Sequence, residues 1–498
     1  MTLLPTPLEA HAFARYSSST EVTAYLRTLA DAADGRAAVR CAGYSAQGRE
    51  IPILLCGLQD RARVAAGKLR LLLVGSLHGA SEAAGCEALL LLARAVLLGE
   101  LRNLLDVFEL VFIPNANPDG RDADSFRNGN AVNINRDFVL LEQPESRVLD
   151  TAVRHYAPAV VLDAHESAVL KRKTLGQEGY LTAFEAQFDI ASTPAIPVAL
   201  RRFGIDTLLP QLIAGVQAGG LHAQRYIAEI RSVTQPITHG GLTIRMFRNK
   251  AGLRGPLTVL LETPMEPKAG HYPTYRDIGP RVRKQLLCMQ VFLDCIRANA
   301  PAITAAQARA AQDLTGPTCA LNAAYRREPP DATLTLPLRE RATGTRVHAA
   351  FADHRTVIAQ DPLRIPPHYF VTAHTAVFAD LLTRHGVAFE TLTRSTEAQV
   401  LSEVLAGGQQ PDAACQQIDQ LTHRRIIPAG ALRVPLLGSD RRLVPLLLEP
   451  RSTSSVFRYE PFARLLQHGQ PFFIPRAVPD SEPTGDRDDR SAQNTRRR

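Results

Sequence analysis

LRLLLVGSLHGASEAAGCEALLLLARAVLL, residues 69–98, decides the architecture of this chain. Residues 69–75 read as a buried strand and residues 83–98 as an apolar helix, with a glycine-containing turn between them. A strand that passes into a helix through so short a turn belongs to a parallel sheet. The same alternation extends on both sides. Strand candidates lie at 51–56, 69–75, 107–113, 159–163 and 257–261, and helix candidates at 19–33, 83–98, 145–156, 199–218 and 280–298. The expected fold is α/β, a mixed and mostly parallel sheet flanked by helices, with a smaller C-terminal α+β domain.

A chain of 498 residues exceeds one average domain. The helix at 280–298 is expected to continue toward Gln312, which bounds a catalytic domain at 1–312. The stretch TGPTCALNAAYRREPPDATLTL, 315–336, is rich in turn formers and reads as a linker. A second domain is expected at 320–476. Its histidines form no pair at ligand spacing with a carboxylate nearby. The tail 477–498 has almost no apolar residues and is expected to be disordered.

Hydrophobic residues make up 45% of the chain and charged residues 21%, which fits a soluble globular protein. No stretch of 18 apolar residues occurs, so no transmembrane helix and no membrane partner are expected. The net charge is +8, but the basic residues are scattered, which argues against nucleic acid and for anionic substrates. No signal peptide is read at the N-terminus, and the seven cysteines form no CxxC pair. Reduced thiols in the cytoplasm are the expectation.

Five fragments carry the chemistry. His78 and Glu82 stand in the turn of 69–98. FIPNANPDGR occupies 112–121 and RNGNAVNINRDF occupies 127–138. VVLDAHES brings Asp163 and His165, and LTVLLETP brings Glu262. Singly, each has a plainer reading, such as a capped turn, a core histidine or a solvated arginine. Together they supply three groups able to hold zinc, two arginines (Arg127 and Arg136) able to hold oxyanion or carboxylate charge, and a further carboxylate able to move a proton. Zinc-assisted hydrolysis of an amide requires that set. His78, His165 and Glu262 each follow a hydrophobic strand directly, and open α/β sheets bind ligands outside the carboxyl ends of their strands.

The order HGASE, PNANPDG, RNGNAVNINRDF, DAHE, LLET resembles the M14 zinc metallocarboxypeptidase family of bacterial type, with a carboxypeptidase A-like catalytic domain. GYSAQGREIP at 43–52 is similar to the strand–turn–strand that precedes the zinc motif there, and the likeness covers roughly 16–298. The resemblance implies one zinc per chain, held by His78, Glu82 and His165. It implies Glu262 as general base, Arg127 as the group that polarises the scissile carbonyl, and Asn135 with Arg136 as the grip on the substrate's C-terminal carboxylate. The implied substrate is a peptide or small amide with a free carboxylate.

The chain departs from the family pattern in three places. Three residues, not two, separate His78 from Glu82. Asn133 stands where the family has an aspartate behind the first histidine. No tyrosine lies between 227 and 271, and His239 is the candidate for the missing substrate-covering group. Arg245, Arg248 and Lys250 lie in the region that lines the side-chain pocket, which makes Arg248 a substrate-binding candidate for an anionic C-terminal residue. Two other functions fit the fragments: a zinc amidohydrolase of aspartoacylase type acting on N-acyl amino acids, and a catalytically impaired peptide-binding homologue.

Overall fold

The computed structural model describes residues 4–58, 64–168, 175–265, 278–405, 417–467 and 469–478. Two compact units form, one from residues 1–364 with 437–459 and the other from 365–436 with 460–498.

Among the described residues as far as Met265, nine strands form: β1 (Ala37–Tyr44), β2 (Glu50–Cys56), β3 (Leu69–Val74), β4 (Phe108–Ile113), β5 (Val160–Ala168), β6 (Tyr180–Thr182), β7 (Ala186–Ile190), β8 (Ala223–Arg225) and β9 (Leu257–Met265). All except β6 join one eight-stranded sheet in the order β1-β2-β4-β3-β5-β9-β7-β8. The inner four, β4, β3, β5 and β9, are mutually parallel. The sheet is therefore mixed with a parallel centre, as the alternation of elements predicts.

Those inner strands are continuous apolar runs because helices cover both faces. Side chains alternate between two cores. Leu71, Leu73, Leu110 and Phe112 pack on one face, under the helices Ser19–Asp31, Ala83–Leu98 and Ile278–Ala298. Leu72, Val74, Val111 and Ile113 pack on the other, under Pro144–Tyr156 and Phe247–Leu253. Each fully buried leucine stabilises the fold by about 1.5–3 kcal/mol. Among the described residues no single helix is long and apolar enough to cross a membrane.

Three expectations are revised. The helix at 280–298 ends at Ala298, and a separate helix, Ala300–Asp313, leaves it at 74°. The segment read as a linker is largely strand: β10 (Thr318–Arg326) pairs with β13 (Thr356–Arg364), and β11 (Thr333–Glu340) lies between β12 (Arg346–Ala352) and β6. Long-range pairing of this kind leaves no local signal. The boundary expected at 312–320 thus has strands of the first unit beyond it, and the compact division falls after Arg364.

The second unit holds a six-stranded sheet that includes β14 (His368–Val371), β15 (Glu390–Thr391), β16 (Thr396–Leu405) and β17 (Gln417–Ile427), with the helix Thr375–Arg384. Nearly all of the expected tail, from residue 479 onward, lies outside the described residues.

Candidate active site

Strand register gathers the site. β3 ends at Val74, opposite Asp163 of β5, and His165 is the direct neighbour of Glu262 on β9. The turn after β3 therefore meets His165 and Glu262 at one edge of the sheet. Ser76 sits in that turn at φ +52°, a conformation a non-glycine residue adopts at a cost. Gly79 follows at φ +54°, and a Cβ there would lie 2.5 Å from the backbone of Gly120 and Ser125. Glycine is required on both counts.

NANPDG forms the floor under this turn. Asn117 caps the short helix Pro118–Asp122 by accepting from the Gly120 amide at 2.9 Å. Asp119 accepts from Ser45 and Arg49, and fully buried Arg121 donates to Ser17, Ser76 and Glu87. These residues are structural supports of the site.

His78, Glu82 and His165 are all buried, and their ligand atoms lie within 4.8 Å of one another. Nδ1 of His78 is 2.6 Å from one Glu82 oxygen, and Nδ1 of His165 is 2.7 Å from the other. The opposite nitrogens are held as well. His78 Nε2 lies 3.2 Å from Asn133 Oδ1, and His165 Nε2 lies 2.9 Å from Asp163. Outer partners of this kind orient metal-binding imidazoles. Two imidazoles and a carboxylate converging in a buried pocket are a donor set that suits zinc. The three-residue spacing between His78 and Glu82 is absorbed by the 3₁₀ turn Gly79–Glu82. Burial alone would raise the Glu82 carboxyl, yet His78 and His165 outweigh it and hold it well below the usual range. Burial would lower His165, but Asp163 and Glu82 raise it.

A cavity of about 360 Å³ opens over these groups, lined also by Phe126, Asn135, Arg136, Gln187, Tyr226, Arg248 and Glu262. Glu262 Oε2 has no hydrogen-bond partner among the described residues. Burial pushes the Glu262 carboxyl up to about 7; Glu82 and Asp163 add to this, while His165 and Arg248 oppose it. Asn135 accepts from the Phe247 amide at 2.8 Å, which fixes it beside His165. Arg136 is exposed at the cavity and donates to the Asn135 carbonyl; burial of its neighbourhood and Arg245 push its pKa down.

Of the three basic residues before Glu262, only Arg248 faces the cavity. Arg245 is exposed, and buried Lys250 lies 3.6 Å from Asp150. Two further candidates lie elsewhere. Arg127 is exposed and donates to the Ala131 carbonyl at 2.8 Å, outside the cavity lining. Its neighbour Phe126 turns inward instead and stacks on His78 with centroids 4.0 Å apart. His239 lines a separate cavity, with Nδ1 against the Tyr226 carbonyl.

Tyr226 is the group that sequence reading missed, one residue before the stretch in which a tyrosine was sought. The only local signal for it is its place directly after the strand β8. Its ring lies 5.3 Å from the Arg248 guanidinium, and burial raises its phenol strongly.

Residues 22–154 match the family described as zinc carboxypeptidase, Peptidase_M14. A probable carboxypeptidase 2 of Arthroderma benhamiae (strain ATCC MYA-4681 / CBS 112371) is 26% identical over 233 residues, covering 44% of this chain and 42% of that protein. Carboxypeptidase 2 of Trichophyton rubrum is 27% identical over 236 residues, covering 45% of this chain and 42% of that protein. The chain thus spans less than half the length of these relatives. A metallo-carboxypeptidase from Burkholderia cenocepacia superposes with a TM-score of 0.44 at 16% identity, over 57% of this chain and 70% of that one.

Proposed function

From the match of residues 22–154 to the zinc carboxypeptidase family, we propose that this chain is a zinc carboxypeptidase of the M14 type that removes C-terminal residues from peptides. The observation that carries the reading is the convergence of His78, Glu82 and His165, with Glu262 beside them, under one cavity.

In this reading His78, Glu82 and His165 hold one zinc ion. Zinc, when bound in such a site, polarises a carbonyl and brings the pKa of its water to about 7. Glu262 takes a proton from the attacking water at its unpartnered Oε2 and delivers it to the departing amine. A carboxyl raised to about 7 suits both transfers. Asn135 and Arg136 fix the terminal carboxylate, and the guanidinium fork does so with two parallel hydrogen bonds.

Arg248 then remains for the side chain of the terminal residue. It is buried, and its Nε has no partner among the described residues. A glutamate or aspartate side chain satisfies it, so the favoured substrates end in an acidic residue. Tyr226 stacks beside Arg248 and closes that wall. Arg127 meets the scissile carbonyl only after exchanging its bond to Ala131, an exposed contact whose loss costs about 0.5–1.5 kcal/mol. The cytoplasm stays the proposed location.

Metal analysis and a substrate panel test the reading. His165→Ala is expected to lose both the zinc and the release of C-terminal residues. Stoichiometric zinc in that variant refutes the ligand set. Turnover of N-acyl amino acids without turnover of peptides assigns the site to an amidohydrolase, and zinc with no turnover of either assigns it to a binding protein.

A further inference from the structure

A second cavity, of about 290 Å³, borders His239, whose ring meets the Tyr226 backbone, and is lined by Arg201, Arg225, Arg355, His239, Ser192 and Thr356 together with apolar residues. Its size is near the lower end of ligand pockets, which run from about 300 to 1,000 Å³. Its charges do not cancel. Arg225 pairs with Asp189 at 3.1 Å, and Arg355 pairs in bidentate fashion with Asp353 at 2.8 and 2.7 Å. The Arg201 guanidinium, unlike its backbone, makes no ion pair or hydrogen bond among the described residues. Burial and the neighbouring Arg225 push its pKa down, as expected for a cation awaiting a partner.

His239 adds a second, independent feature. It is 1% exposed, and its Nδ1 donates to the Tyr226 carbonyl. Burial lowers it to about 4, so at neutral pH the ring is uncharged and Nε2 is an acceptor. That Nε2 has no partner among the described residues. The cavity therefore presents guanidinium donors and one buried imidazole acceptor. The wall beside Arg201 is also irregular: the helix Val198–Phe203 runs into a π-helical turn, Gly204–Leu208, which contributes Ile205. Such turns occur frequently at functional sites.

We propose that this cavity is a second ligand site that takes an oxyanion of the phosphate class, its charged oxygens on Arg201 and the flanking arginines and its own hydroxyl on His239 Nε2. The hydroxyl separates hydrogen phosphate, which keeps one proton at neutral pH, from sulfate and from a phosphomonoester dianion, which have none to give. The site adjoins the catalytic cavity through His239, whose carbonyl accepts from Arg248 at 3.3 Å and whose ring holds the backbone of Tyr226.

Calorimetric titration of the zinc-loaded full chain with inorganic phosphate, at fixed ionic strength, tests this. Saturable binding is expected, and Arg201→Gln weakens it at least about tenfold, the loss expected for one charge-assisted hydrogen-bonding group. Arg355→Gln, on a different element, weakens it in the same direction, so the outcome does not depend on the folding of one variant. Arg136→Gln, in the catalytic cavity, leaves phosphate affinity unchanged. Sulfate binds at least about tenfold more weakly than phosphate. Unaltered affinity in both Arg201→Gln and Arg355→Gln, loss of binding in Arg136→Gln, or equal affinity for sulfate overturns the assignment.

Discussion

Replacing Glu262 by glutamine keeps the size of the side chain and removes its capacity to hold a proton. Since Glu262 is not one of the three converging ligands, zinc content is expected to stay at one per chain while kcat falls by about 10²–10⁴. Near-normal kcat means Glu262 is only a strand-end carboxylate, and loss of metal means it is a ligand. Arg248→Gln makes a separate prediction. The ratio of kcat/KM for peptides ending in glutamate over those ending in leucine should drop by at least about tenfold, the cost of leaving a buried charge-assisted contact unmade. An unchanged ratio removes Arg248 from the specificity pocket. The candidate site was legible in part because His78, His165 and Glu262 each follow a hydrophobic strand. The arginines were not. Whether Arg127 or Phe126 faces the cavity depends on how one turn is closed, and neither residue type nor spacing decides that. Tyr226 escaped notice because it reaches the site through the path of its loop, which no periodicity describes.

The decisive element is the β3 turn and the NPDG helix packed beneath it. Gly79→Ala adds a Cβ into backbone at 2.5 Å and forces φ +54° on a chiral residue. Strained backbone of this kind costs about 1–3 kcal/mol, and chemical denaturation should register at least that, with weaker zinc binding because Glu82 shifts with the turn. Unfolding and metal affinity equal to the parent chain would show that the turn relaxes freely. At this scale the sequence spoke clearly where structure is local. Strands β3 and β9 and the helix Ala83–Leu98 announce themselves by apolar runs bounded by glycine. The pairing of β6 with β11 does not, since Leu338 and Thr182 meet across more than 150 residues. The bend after Ala298 was also hidden, as both helices have similar composition and only Asn299 and Pro301 mark the break.

At the scale of the whole chain, an α/β sheet with a parallel centre puts every proposed ligand at one edge, and the +8 net charge favours the approach of anions. The strands between 318 and 364 belong to the first unit, so a fragment ending at 312 would lose the partner of β6 as well as Arg355. In the proposed function the cavity cuts one residue at a time from a free carboxyl end. Two peptides of identical sequence ending in glutamate, one with a free C-terminus and one amidated, test it most directly when their digestion by the zinc-loaded full chain is followed by mass spectrometry. Stepwise loss of the terminal residue is expected from the free peptide, and a rate for the amide lower by at least about 10², because Arg136 and Asn135 lose the charge they hold. Equal rates for the two peptides, or cleavage at internal bonds, would contradict it.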